Sequence, residues 1–140
     1  MRLDPDLLET SFDLVAPHGD ALMDSFYARL FDAAPDVRPL FARTDMEAQK
    51  SMLLGALVLL RRHLRDLDTI LPTLRDLGAR HVRYGARARH YPIVGAALLA
   101  AMAEVAGDDW SVEHERAWTS AFGVLAGAML DGAADIELAA

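Results

Sequence analysis

From Gln49 to Leu64 the chain carries one long stripe. Gln49, Leu53, Leu57, Leu60 and Leu64 recur at intervals of three and four residues, the spacing that puts side chains on one face of an α-helix. Similar stripes recur along most of the chain, and no alternating run bounded by hairpin-forming turns interrupts them. A chain patterned this way must bury helix faces against helix faces. The expected class is therefore all-α.

Boundary signals divide the pattern into six long helices and one or two short ones. Met23, Phe26, Tyr27, Leu30 and Phe31 share a face that Pro35 terminates, and Asp36 to Phe41 reads as a short helical turn. Thr44 or Asp45 can cap the striped helix, which is expected to run to about Arg65. Pro72 suits the first turn of the next, whose inner face is Leu74, Leu77, Gly78 and His81, with Gly85 as the stop. Val94, Leu98, Ala101 and Val105 line a helix expected between Pro92 and Gly107. Ser111, followed by His114 and Glu115, looks like a capped start for a last helix presenting Trp118, Phe122, Leu125 and Met129. The small, polar tail beyond Asp131 is expected to fray.

Composition narrows the function. At 140 residues the chain reads as one domain spanning residues 1–140, able to bury roughly two-thirds of its unfolded surface. Its net charge of −7 makes nucleic acid a poor partner, since binding there is driven by cations that displace counterions from phosphates. The arginines between Arg75 and Arg89 cluster all the same, and suit a small anionic ligand better than a polymer. With no cysteine, thiolate metal sites, disulfides and cysteine nucleophiles are excluded. The longest apolar run, Met52 to Leu60, is about half of what a bilayer span needs. No signal-like start precedes it, so the expectation is a cytoplasmic protein without a membrane span.

Of the five histidines, His18 and His114 sit among polar residues at helix ends, where capping or solvation accounts for them. His63 falls on the side of its helix away from Leu60 and Leu64, and His90 in "RHYP" suits a loop hydrogen bond. His81 differs, standing four residues after Leu77 on the core-facing stripe. A ring N–H there can reach the Leu77 carbonyl, leaving the other nitrogen free as a neutral ligand. On spacing alone, a core histidine with a satisfied hydrogen bond is the commoner case. One imidazole cannot hold zinc, and no second ligand motif is present; a metal could bind only if a cofactor brought the remaining ligands, as haem does.

At these residues the chain resembles the globin family, within it the bacterial single-domain haemoglobins related to the haem domain of flavohaemoglobins. "SFYARLFDAAPDVRPLF", "LGARHVRYG", "HYPIVGAALLAAM" and "AWTSAFGVLAGAML" resemble, in order, the second and third helices, the proximal helix, the one after it and the last. The resemblance implies a globin fold around haem b (iron protoporphyrin IX). It makes His81 the iron ligand, Phe41 the aromatic packed on the porphyrin, Tyr27 and Gln49 the distal polar pair, and Leu53 the apolar residue above the iron. The 32 residues from Gln49 to His81 match the family's usual interval. Leu40, Leu77, Arg80, Ala86, Tyr91, Val94, Phe122 and Met129 match further pocket-lining positions. For Arg80 and Lys50, a haem propionate or a solvated surface are equal alternatives.

One position departs from the pattern. Flavohaemoglobins and many relatives place a glutamate on the last helix, in a triad with a tyrosine and the proximal histidine. Tyr91 matches the tyrosine, but Ala133 stands at the glutamate position, leaving only Asp131 or Glu137 to swing in. That weakens oxygen-activating chemistry and strengthens reversible dioxygen binding for delivery, storage or buffering. The alternatives are a nitric oxide dioxygenase served by a separate reductase, since the chain has no GxGxxG and no room for a flavin domain, and a gas sensor or signalling module acting through a partner chain. Nitric oxide and carbon monoxide are further candidate ligands, and the chain is expected to be a monomer or homodimer.

Overall fold

The computed structural model describes residues 3–139, with side chains through Asp135. Helices α1 (Pro5–Val15), α2 (Gly19–Ala33), α3 (Met46–Arg62), α4 (Leu71–Arg83), α5 (His90–Ala106) and α6 (Val112–Ala139) follow one another, with no strand among the described residues. Short 3-10 turns join several of them, the longest being Pro35–Phe41 between α2 and α3.

Local chemistry starts and stops these helices much as the boundary signals predict. The Asp45 carboxylate accepts the N–H groups of Glu47 and Ala48 at 3.1 and 3.3 Å, capping α3. Ser111 and His114 cap α6 reciprocally: Ser111 Oγ accepts from the His114 amide and His114 Nδ1 from the Ser111 amide, a capping box with an imidazole in place of the usual glutamate. Gly85, at φ +95°, turns the chain out of α4 in a conformation open to little else.

Three expectations are corrected. Helix α3 ends at Arg62 rather than near Arg65, because the His63 amide bonds the Leu60 carbonyl in a tightened last turn. Helix α5 begins at His90, not after Pro92, since proline is tolerated in a first turn that needs no N–H. The tail does not fray at Asp131: α6 continues to Ala139, its alanines, Glu137 and Leu138 being good helix formers. The side chain of Glu137 lies outside the described residues.

The core is built where α1, α2, α5 and α6 meet. Leu8, Phe12, Leu22, Met23, Phe26, Leu98, Met102 and Trp118 are buried together. Trp118 donates its indole N–H to Ser11 Oγ at 2.7 Å across the bundle, while that hydroxyl bonds the Leu7 carbonyl at 2.6 Å. No polar group in this region is left unpaired. Helix α5 is long and apolar enough to cross a bilayer, yet Ala97, Leu98, Leu99, Ala101 and Met102 are buried in this core.

Helices α4 and α6 form the closest pairing. A Cβ on Gly78 would lie 1.8 Å from the Met129 carbonyl oxygen, and one on Gly132 1.9 Å from that of Arg75. The two backbones thus touch through glycine on both sides. Helix α3, by contrast, packs on α2 and α1, while α4 packs on α6.

These contacts predict opposite outcomes for chemically identical substitutions. Gly78→Ala should destabilise the fold by about 3 kcal/mol or more, because a rigid carbonyl has to move. Gly123→Ala, with nothing within 4 Å of the new methyl, should be neutral or stabilise α6 by up to about 1 kcal/mol. Urea unfolding of the two variants beside the parent makes the comparison.

Candidate functional site

His81 lies in the last turn of α4, three residues beyond Gly78 and so about 60° round the helix from the α6 contact. Its Nδ1 is 2.6 Å from the Leu77 carbonyl oxygen. A carbonyl can only accept, so Nδ1 carries the proton and Nε2 of the neutral ring holds a free lone pair. The main chain around it is tightly closed: the His81 carbonyl accepts from the amides of both Tyr84 and Ala86. The Tyr84 ring stands edge-on to the imidazole with centroids 5.6 Å apart. The ring is thereby fixed in tautomer and orientation, while the residue stays partly exposed.

A second group gathers Tyr27, Gln49 and Phe41 from three elements. Gln49 Nε2 donates to the Tyr27 phenol oxygen at 3.1 Å, which leaves the phenol proton free to be donated elsewhere. Phe41 meets Tyr27 and Phe31 edge-on at 6.0 and 5.5 Å, and Phe26 meets Tyr27 at 4.9 Å. Tyr27 is 5% exposed. Burial pushes its phenol above the ordinary tyrosine range, the hydrogen bond from Gln49 and the charge of Lys50 pulling the other way. Lys50 itself pairs with Asp24 and Glu47.

Of the remaining sequence-predicted residues, Leu53, Leu77, Ala86, Tyr91, Val94, Phe122 and Met129 are all half-buried. Phe122 packs on Gly95 and the Met129 backbone on Gly78. Leu40 and Arg80 are exposed, with Leu40 laid against Gly85. Among the described residues, His81 and the Tyr27–Gln49 pair share no hydrogen bond or ring contact.

Tyr91 and Ala133 do meet, across a space. Val82, Ala86, Tyr91, Leu130, Ala133 and Ala134 line a cavity of about 180 Å³, where Ala133 offers only a methyl. Among the described residues Tyr91 has no side-chain hydrogen-bond partner, and burial raises its phenol pKa. Asp131 is exposed rather than turned inward.

One cluster went unread in the sequence. His90 is 5% exposed; its Nδ1 accepts the Arg87 amide at 3.0 Å, so Nε2 donates to Asp36 at 3.0 Å. Arg89 also binds Asp36. Together they hold the Asp36 carboxyl below the usual carboxylate range and tie the Pro35–Phe41 turn to the start of α5. The loop hydrogen bond expected of His90 is present. Its carboxylate partner, 54 residues away, leaves no mark on local sequence.

A family model described as Globin matches residues 24–129. The flavohemoprotein of Chromobacterium violaceum is 33% identical over 89% of this chain and 31% of its own. That of Bordetella parapertussis is 34% identical over 86% of this chain and 30% of its own. The chain thus spans about a third of the length of these relatives. Among solved structures, an engineered carbene transferase from Rhodothermus marinus superposes with a TM-score of 0.87 at 27% identity, covering 99% of this chain and 98% of that one. A bacterial globin from Campylobacter jejuni superposes with a TM-score of 0.82 over 95% and 96%, at 24% identity, a likeness of fold alone. The chain, all-α and built on the bacterial globin fold, belongs to the globin family.

Proposed function

We propose that this globin is a haem protein that reversibly binds dioxygen, with His81 as its only protein ligand to iron and Tyr27 and Gln49 as ligand-facing donors. The observation that carries this reading is the direction of the Tyr27–Gln49 hydrogen bond. The amide donates to the phenol, so the phenol proton is available to a third group.

The donor set fits haem. Among the described residues no group of three or more His, Cys, Asp or Glu could hold a bare metal ion. His81 offers one free imidazole nitrogen, which suffices only where a macrocycle fills the other positions. Haem b, when bound, would supply an iron that a single protein imidazole can hold and that a diatomic gas can reach. In this reading Leu77 orients the imidazole through its carbonyl and Phe41, locked by Tyr27 and Phe31, packs on the porphyrin face. Leu40, Leu53, Leu77, Ala86, Tyr91, Val94, Phe122 and Met129 complete an apolar lining, which accounts for their partial exposure. Exposed Arg80 suits a propionate.

Function then turns on how strongly the donors hold a polar gas. A dioxygen ligand gains partial negative charge, and a hydrogen bond to a charged group contributes about 1.5–3 kcal/mol. The Ala133 cavity bears on the choice between binding and activation. Among the described residues no carboxylate lines the space beside Tyr91 to draw the proximal imidazole toward a more basic state, which favours release of the gas intact. Nitric oxide dioxygenation with a separate reductase is the second reading. It is favoured by the Rhodothermus marinus neighbour, which is provisionally named a nitric oxide dioxygenase.

Three outcomes test the reading. In Tyr27→Phe the rate of dioxygen release, followed by flash photolysis, should rise roughly 10- to 150-fold; a change under about twofold contradicts the assignment. In the parent that rate should stay flat through pH ~10: the folded phenol titrates higher than the free one, so its donor is intact below that pH and is lost only as pH rises through the raised value. Ala133→Glu should place a carboxylate in the cavity beside Tyr91 and raise the iron–histidine stretching frequency in resonance Raman spectra of the ferrous protein.

A further inference from the structure

The gas site claims only Arg80 of the arginine cluster, together with Leu40 beside it, and the fold gives the cluster a definite setting. From Leu77 to Ala103 the chain holds Arg80, Arg83, Arg87 and Arg89 and no carboxylate. From Val37 to Thr44 it holds Arg38 and Arg43, again with none. The fold brings these two acid-free segments together, since Asp36 is bound by Arg89 and His90 and Leu40 lies against Gly85. At their junction sit two exposed apolar side chains, Tyr84 at 60% and Leu40 at 42%.

Elsewhere many of the cations are neutralised, although among the described residues Arg62, Arg75 and Arg116 are also exposed and join no ion pair. Arg29 pairs with Glu104, Lys50 with Asp24 and Glu47, Arg61 with Glu9 and Asp13, and Arg65 with Asp6 and Glu9. Among the described residues Arg43, Arg80, Arg83 and Arg87 join no ion pair and all are exposed. On α6, the helix packed against α4, Asp131 and Asp135 are exposed and form no ion pair with them. A protein of net charge −7 thus gathers exposed arginines at one corner with an apolar centre, where Asp36 is bound by Arg89 and His90 and Asp45 is taken up in the cap of α3.

We propose that this corner, Arg43, Arg80, Arg83 and Arg87 around Leu40 and Tyr84, is a docking face for an acidic protein partner. Opposite charge steers encounter and fixes orientation, while two apolar side chains provide the small desolvated centre typical of weak, rapidly exchanging complexes. A nucleic acid or an anionic membrane fits less well, because the acidic remainder of the molecule repels an extended polyanion. Within the acidic proteins, the fitting class is small redox proteins. Tyr84 is exposed in the apolar centre and its ring stands edge-on to His81, so a docked partner comes within one side chain of the imidazole. That narrower choice rests on the haem reading; the docking face shares Arg80 and Leu40 with it, while Arg43, Arg83, Arg87 and Tyr84 stand apart from it.

An acidic flavodoxin is the probe, titrated into the purified chain at low and at moderate salt with amide chemical shifts as the readout. Saturable binding should perturb residues 38–43 and 80–89 and weaken about tenfold between 20 and 200 mM salt. Arg83→Glu with Arg87→Glu should weaken it about tenfold or more, whereas the matched reversal Arg62→Glu with Arg116→Glu should change it less than about twofold. Equal losses in the two double variants, perturbation elsewhere, no binding at low salt, or tighter capture of a single-stranded oligonucleotide or phosphatidylglycerol vesicles would each overturn the proposal. The absorption spectrum recorded alongside separates the two ideas. A haem-loaded chain that does not dock sinks the surface alone, and a colourless chain that docks sinks only the haem reading.

Discussion

The backbone contact between α4 and α6 governs the rest of the structure. Gly78 against Met129 and Gly132 against Arg75 leave no room for a side chain, so the two helices pack as closely as main chains allow. Once α4 is fixed at that depth, the position of His81 is fixed with it. The carbonyl of Leu77, one turn earlier, then decides which imidazole nitrogen bears the proton. Placement and tautomer of a single ring therefore follow from two glycines and one hydrogen bond. The energy holding them comes from the larger core around Trp118, where no polar group is left unpaired.

The distal group obeys a different logic. Tyr27 is buried among Phe26, Phe31 and Phe41, an apolar setting that keeps its phenol neutral and its proton available. Gln49 uses its amide on the phenol oxygen rather than on the phenol proton. A tyrosine held that way is a preorganised donor, fixed before any ligand arrives and costing little entropy when it acts. Each of the two groups thus spends one hydrogen bond on orientation and keeps one lone pair or one proton unspent.

Sequence reveals such features unevenly, for physical reasons. Helix stripes, caps at Asp45 and Ser111, and the terminator Gly85 are local, so three- and four-residue spacing and cap chemistry exposed them. Leu77 and His81 were legible for the same reason, being one helical turn apart. The Tyr27–Gln49 bond spans 22 residues and came within reach only through likeness to globins. The Asp36–His90 pair spans 54 and left no local trace. Ala133 was recognisable as a departure from the family pattern, but the cavity it leaves beside Tyr91 depends on how α5 and α6 cross. Helix ends were misjudged where side-chain polarity was weighed above backbone propensity, as in the tail of α6.

The account depends most on the imidazole of His81, and its removal with a replacement in solution is the most direct measurement. The parent, supplied with haem, should show an intense band near the violet edge and a ferrous spectrum that changes under dioxygen. His81→Gly should lose that ferrous spectrum or bind haem far more weakly, and added imidazole should restore it by filling the space the side chain vacated. A His81→Gly protein that holds haem as firmly as the parent, with the same spectrum and no response to imidazole, would contradict the account.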